Sequence, residues 1–146
     1  MSGNTSDNTG GGLHLNGGTN TLENATISGN SSAANGGGVF VNNVTITLNS
    51  ATVTDNSATG RGGGVYLSNS AGLNLSNSIV AGNTADNQDI EIRGTIQSGG
   101  TNIIGDDPAA GGNPNDSDGG DGYDPSDLLD QTGLLLGPLA DNSEPV

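Results

Sequence analysis

Apolar and polar residues alternate along this chain in short bursts. Val39 and Val41 flank Phe40, then Val44, Ile46 and Leu48 alternate with threonines, then Ala51 and Val53 flank Thr52. A period of two is the mark of strands with one buried face, not of helices. Clusters of Gly, Asn and Ser separate the bursts, so the pattern predicts three short strands per unit.

The unit repeats. Gly10-Gly11-Gly12 returns as Gly36-Gly37-Gly38 and Gly62-Gly63-Gly64, each followed by an apolar-x-apolar triplet: Leu13-His14-Leu15, Val39-Phe40-Val41, Val65-Tyr66-Leu67. Ile90-Glu91-Ile92 forms a fourth such triplet without the glycines. A second signature, apolar-x-x-Asn, ends at Asn30, Asn56 and Asn83 and stays in phase with the first. Two signatures in phase at a period of about 26 residues identify a solenoid. Hairpins would need two-residue turns between paired strands and would not keep this period. The expected fold is therefore all-β: a single-stranded, right-handed parallel β-helix of about four coils over residues 1–105, with coils about 4.8 Å apart.

Aligning the coils predicts inward rows: Leu13, Val39, Val65, Ile90; Leu15, Val41, Leu67, Ile92; Leu22, Leu48, Leu75; Ala25, Ala51, Ser78; and Ile27, Val53, Val80. Each buried aliphatic side chain contributes roughly 1.5–3 kcal/mol. Asn30, Asn56 and Asn83 are expected to form a ladder at a turn, where Asn tolerates a left-handed backbone and its amide bonds the stacked Asn of the next coil. The glycine triplets mark another corner, where positive φ or close backbone approach excludes a Cβ.

Composition explains why a solenoid is needed. Leu, Ile, Val and Phe make up about one fifth of the 146 residues, too few for an ordinary globular core. Charge divides the chain near Gly105. All prolines and most of the acids follow it, and the formal net charge of the whole is −14. Residues 106–127 are expected to be an acidic Pro/Gly/Asp-rich loop, and residues 128–146 a leucine-containing segment that packs back on the helix. Such an acidic chain suits neither nucleic acid nor an anionic membrane surface. No apolar run is long enough to insert in a membrane, and with no Cys there is no disulfide framework or thiolate metal site.

Gly-Gly-Gly-Val-Tyr followed by apolar-x-x-Asn resembles the repeats of polymorphic outer-membrane proteins, with Ile27, Val53 and Val80 where those repeats carry Phe. Ser78-Ile-Val-Ala-Gly-Asn83, Asn102-Ile-Ile-Gly105 and Leu136-Gly-Pro-Leu-Ala-Asp-Asn142 are similar to large bacterial right-handed β-helix surface proteins that often carry a C-terminal anchor. The resemblance implies an extracellular or cell-surface location and an exported parent protein. The sequence shows no signal peptide or anchor, so the chain is expected to be a segment of that parent.

Candidate chemistry is sparse. His14, Phe40, Tyr66 and Glu91 fall between inward positions and are expected to point outward. The rings of His14, Phe40 and Tyr66 suit either sugar stacking or a stabilising aromatic ladder. Asp116, Asp118, Asp121 and Asp124 are closely spaced carboxylates of the kind calcium takes, although the EF-hand pattern fails because Pro114 falls where its first carboxylate belongs. A solvated acidic loop is the competing reading. Thr19/Thr21 and Thr45/Thr47 are in register, but Gly72 and Asn74 break the row an ice-binding face would need. No catalytic residue is assigned: the single His14 excludes a nucleophilic triad, and the cluster Asp89, Glu91, Arg93 is the only acid–base grouping of note. The expectation is a non-enzymatic structural and adhesive module, with carbohydrate binding or processing, as in polysaccharide lyases, as the alternative. Partners are expected to be a surface glycan or a second copy meeting an open coil end, the latter favoured by salt.

Overall fold

The computed structural model describes residues 1–87 and 90–105. Readings placed on Asp89 and on 106–146 lie outside the described residues: the calcium site at Asp116, Asp118, Asp121 and Asp124, the acidic loop and the docking of the leucine segment.

The described residues form a parallel β-solenoid with strands on four faces and no helix. The first face stacks Leu13–Asn16, Val39–Asn42, Val65–Ser68 and Ile92–Arg93. The second stacks Asn20–Glu23, Thr45–Asn49, Gly72–Ser76 and Ile96–Ser98. The third holds Thr26–Ser28, Thr52–Thr54, Ile79–Val80 and Ile103–Ile104. The fourth, which the apolar pattern did not predict, holds Thr5–Ser6, Ser31–Ser32, Ser57–Ala58 and Thr84–Ala85. Its strands are two residues long and carry Thr, Ser and Ala, so they leave no aliphatic alternation to read.

The core is a set of axial rows. Leu13, Val39 and Val65 stack in register, as do Leu15, Val41 and Leu67. Leu22, Leu48 and Leu75 follow on the second face, and Ile27, Val53 and Val80 on the third. A further row runs Ile46, Leu73, Ile96, with Asn20 at its head. In the two middle coils these side chains are essentially inaccessible, with Val39, Val41, Ile46, Leu48, Val53 and Val65 all at 0% exposure. Leu13, Leu15 and Leu22 in the first coil are half-buried.

The last described coil corrects the predicted register. Ile92, not Ile90, lies beneath Val65, and Arg93 lies beneath Tyr66. Ile90 belongs to the column of middle glycines, since its carbonyl meets the position of a Gly63 Cβ just as the Gly63 carbonyl does for Gly37. Leu67 is covered by Gly94, whose missing Cβ would come within 2.6 Å of the Leu67 Cβ. Anchoring on the apolar-x-apolar triplet had placed this coil two residues early.

Each corner turns on a left-handed residue. Gly17, Asn43 and Asn69 do so between the first and second faces, and Asn24, Ser50 and Asn77 between the second and third. Gly29, Asp55 and Gly82 follow between the third and fourth. The first glycine of each triplet, Gly10, Gly36 and Gly62, closes the coil. The left-handed turn therefore falls one residue before the ladder residues Asn30, Asn56 and Asn83, not on them.

Candidate functional site

The most organised polar feature is a buried ladder of asparagine amides. Asn30, Asn56 and Asn83 are 1%, 0% and 4% exposed, so each polar atom needs a partner inside the protein. The Asn56 backbone N–H and side-chain Nδ2 both donate to Asn83 Oδ1, at 3.0 and 2.9 Å. The second Nδ2 proton goes to the Ile27 carbonyl at 3.0 Å. Asn30 repeats this pattern on Asn56 Oδ1 and the Met1 carbonyl, and Asn4 donates in the same way to Asn30 Oδ1. The ladder thus has a direction: donors point toward the last coil, and each Oδ1 accepts from the coil before.

The third glycine of each triplet makes room for it. A Cβ on Gly12, Gly38 or Gly64 would lie 2.9, 3.0 or 2.8 Å from the Nδ2 of Asn30, Asn56 or Asn83. Van der Waals contact forbids that approach, so ladder Asn and facing Gly are one steric unit.

Glu91 departs from the expectation that it points outward. It is buried, at 2% exposure, and it occupies the column of Gly12, Gly38 and Gly64. Its Oε2 accepts from the Asn83 backbone N–H at 3.3 Å and from Asn83 Nδ2 at 2.6 Å, and its Oε1 accepts from the Gly82 N–H at 2.9 Å. The carboxylate stands where another ladder amide would be. The sequence signal was present: Gly12, Gly38, Gly64 and Glu91 each follow a ladder Asn by the same interval of 8 residues.

His14, Phe40 and Tyr66 do form an outward column, and Arg93 rather than Glu91 continues it. The Phe40 and Tyr66 rings are parallel within 4° at a centroid distance of 5.4 Å. Coplanar neighbours cannot approach that closely, so the rings overlap in offset stacking, face toward face. His14 lies 4.8 Å from Phe40 at a 44° tilt, and its Nδ1 is 3.0 Å from Thr9 Oγ1. Arg93 lies 5.9 Å from the Tyr66 centroid, in cation–π range. Phe40 and Tyr66 therefore turn their faces toward each other, and His14 is tilted against Phe40.

Other polar groups are arranged similarly. Outward Asn69 and Asn42 each donate to the Asn one coil back, Asn42 and Asn16, in the direction opposite to the buried ladder. Buried Asn102, missed in the sequence, accepts from the Ser78 N–H at 2.8 Å and donates to Ser98 Oγ at 2.7 Å. An open, shallow groove on the second face is lined by Asn74, Leu75, Ser76, Gln97, Ser98 and Gly99. Among the described residues no three His, Cys, Asp or Glu side chains gather as a metal site would require. No helix among them is long and apolar enough to cross a membrane.

Compared with known proteins, the chain matches no family model, no curated protein and no solved structure at a significant level.

Proposed function

We propose that this solenoid is a non-enzymatic structural and adhesive module of an exported bacterial surface protein, serving to space or display what it is joined to. The observation that carries the reading is the buried amide ladder, which links Asn4, Asn30, Asn56 and Asn83 along the axis. A polar network satisfied in every coil resists axial shear, because rupture leaves several buried donors unpaired at once. The aromatic column adds a second axial strip on the outer surface. Its geometry favours scaffold over sugar platform, since Phe40 and Tyr66 turn their faces toward each other. Contacts to a surface glycan, or to a second copy through the half-buried first coil, belong to this reading as its adhesive part.

Two measurements on the full chain test it. Single-molecule stretching is expected to give discrete, high-force events whose force drops in Asn56→Ala. A glycan array is expected to give no strong binding that depends on the rings. Low-force, featureless extension contradicts a load-bearing module. Reproducible oligosaccharide binding lost in Tyr66→Ala, with folding retained, replaces it with the carbohydrate-binding alternative.

A further inference from the structure

The same tripeptide, Asn-Gly-Gly, occurs at Asn16-Gly17-Gly18 and at Asn35-Gly36-Gly37, in contrasting settings. An asparagine before a glycine is open to attack on its own side-chain carbonyl by the next backbone nitrogen, because glycine puts no Cβ beside that nitrogen. We propose that Asn16-Gly17, at the corner between the first and second faces, is a self-modifying site that converts to aspartate and isoaspartate without an enzyme, while the fold holds Asn35-Gly36 inert.

Three observations separate the two. The first is the attacking nitrogen. The buried Gly36 N–H donates to the Arg61 carbonyl at 3.0 Å. Among the described residues the Gly17 N–H has no hydrogen-bond partner, although Asn43, its counterpart one coil on, donates to the Ser68 carbonyl. The second is the carbonyl under attack. Asn35 Oδ1 accepts from the Arg61 N–H at 2.9 Å, and the Asn35 backbone carbonyl accepts from the Gly10 N–H at 3.0 Å. The Asn35–Gly36 peptide is thus pinned through both its carbonyl and its N–H, and attack first requires a local opening that breaks these bonds. Asn16 is exposed, and its side chain is held only where Oδ1 accepts from Asn42 Nδ2, at 3.1 Å on the surface. The third is space. A Cβ on Gly36 would lie 2.6 Å from the Val39 carbonyl oxygen, whereas one on Gly17 would meet nothing within 4 Å. The rotation that brings Asn16 Cγ to the Gly17 nitrogen is unobstructed.

The step balances with water alone. Solvent takes the Gly17 amide proton, the nitrogen bonds Asn16 Cγ, and the Cγ–Nδ2 bond breaks with loss of ammonia, leaving a five-membered imide. Water then opens the imide. Breaking the new bond from Cγ to the Gly17 nitrogen gives aspartate, and breaking the original backbone C–N bond gives isoaspartate. The structure accepts the product. Asn69 donates to Asn42 and Asn42 to Asn16, so the end of this outward row is an acceptor, and a carboxylate accepts more strongly than an amide. One negative charge is added to the first coil with the row intact.

Peptide mapping by mass spectrometry tests this on the full chain, incubated folded at mildly alkaline pH and, in parallel, in strong denaturant. In the folded chain Asn16 is expected to convert on the order of tenfold faster than Asn35, or more. In denaturant the two tripeptides are expected to convert at nearly equal rates, because only the fold distinguishes them. Asn16→Asp, the direct product, is expected to melt with the parent. Equal conversion of the two sites in the folded chain, conversion at neither, a gap of the same size in denaturant, or a marked loss of melting temperature in Asn16→Asp overturns the inference.

Discussion

The two middle coils and the last described coil solve the same problem with different residues. In the middle coils a buried Asn supplies both acceptor and donors, and a Gly one coil away leaves room for it. In the last coil one Glu supplies the acceptor and fills the room. Conversely, Leu67 is covered by a backbone glycine at 94, where Leu15 and Val41 are covered by side chains. A solenoid core is therefore not a uniform rod. Its interior rows change composition from coil to coil, as where Gly94 stands beneath Leu67.

The largest effect expected in the middle coils is from Val53→Asp. Val53 is fully buried on the third face, and an unpaired buried carboxylate costs several kcal/mol, comparable to the whole stability of a small domain. Thermal or denaturant unfolding should find this variant largely unfolded. Asn56→Ala should come next. It strips the acceptor from the Asn30 N–H and Nδ2 and leaves the Ile27 carbonyl without its side-chain partner, a loss of roughly 2–4 kcal/mol. In the last coil Glu91→Gln should be milder. The amide keeps one acceptor but turns an N–H toward the donors of Gly82 or Asn83, at a cost of about 1–2 kcal/mol by chemical denaturation. If Glu91→Gln equals or exceeds Asn56→Ala, the carboxylate of Glu91 holds more of the stack together than the amide of Asn56 does.

These contrasts also show what the sequence revealed. The period, most inward rows of the first three coils and the identity of the ladder residues were readable, because alternation and spacing are set by geometry alone; the row Ile46, Leu73, Ile96 was missed because Asn20 heads it in the first coil. The fourth face was not, since two-residue strands of Thr, Ser and Ala carry no apolar alternation. The last coil was misregistered because Ile90-Glu91-Ile92 imitates the apolar-x-apolar triplet. Counting from Asn83 rather than from Tyr66 would have put Glu91 in the glycine column. A buried, hydrogen-bonded carboxylate defeats the ordinary expectation that Glu faces water. The outward aromatic column was readable as a column, but only coordinates show how the rings are turned toward one another.

Contrasts at the corners and on the surface sharpen the picture. Gly38→Ala should cost about 1–3 kcal/mol, because its Cβ meets the Gly64 carbonyl at 2.6 Å, whereas Gly99→Ala, with nothing within 4 Å, should be nearly neutral. Thr47→Asp, outward and half-exposed on the second face, should shift stability by about 0.5 kcal/mol or less. Equal melting shifts for Thr47→Asp and Val53→Asp would mean that the inward and outward phases are exchanged.

The most direct test of the central claim is the detection of scalar coupling across the ladder hydrogen bonds by NMR on labelled full-length chain. The account predicts correlations from the Asn30 backbone nitrogen to Asn56 Cγ, from Asn56 to Asn83 Cγ, and from Gly82 to Glu91 Cδ. Correlations from Asn30 and Asn56 to backbone carbonyls instead, or amides there that exchange at solvent rates, would contradict it.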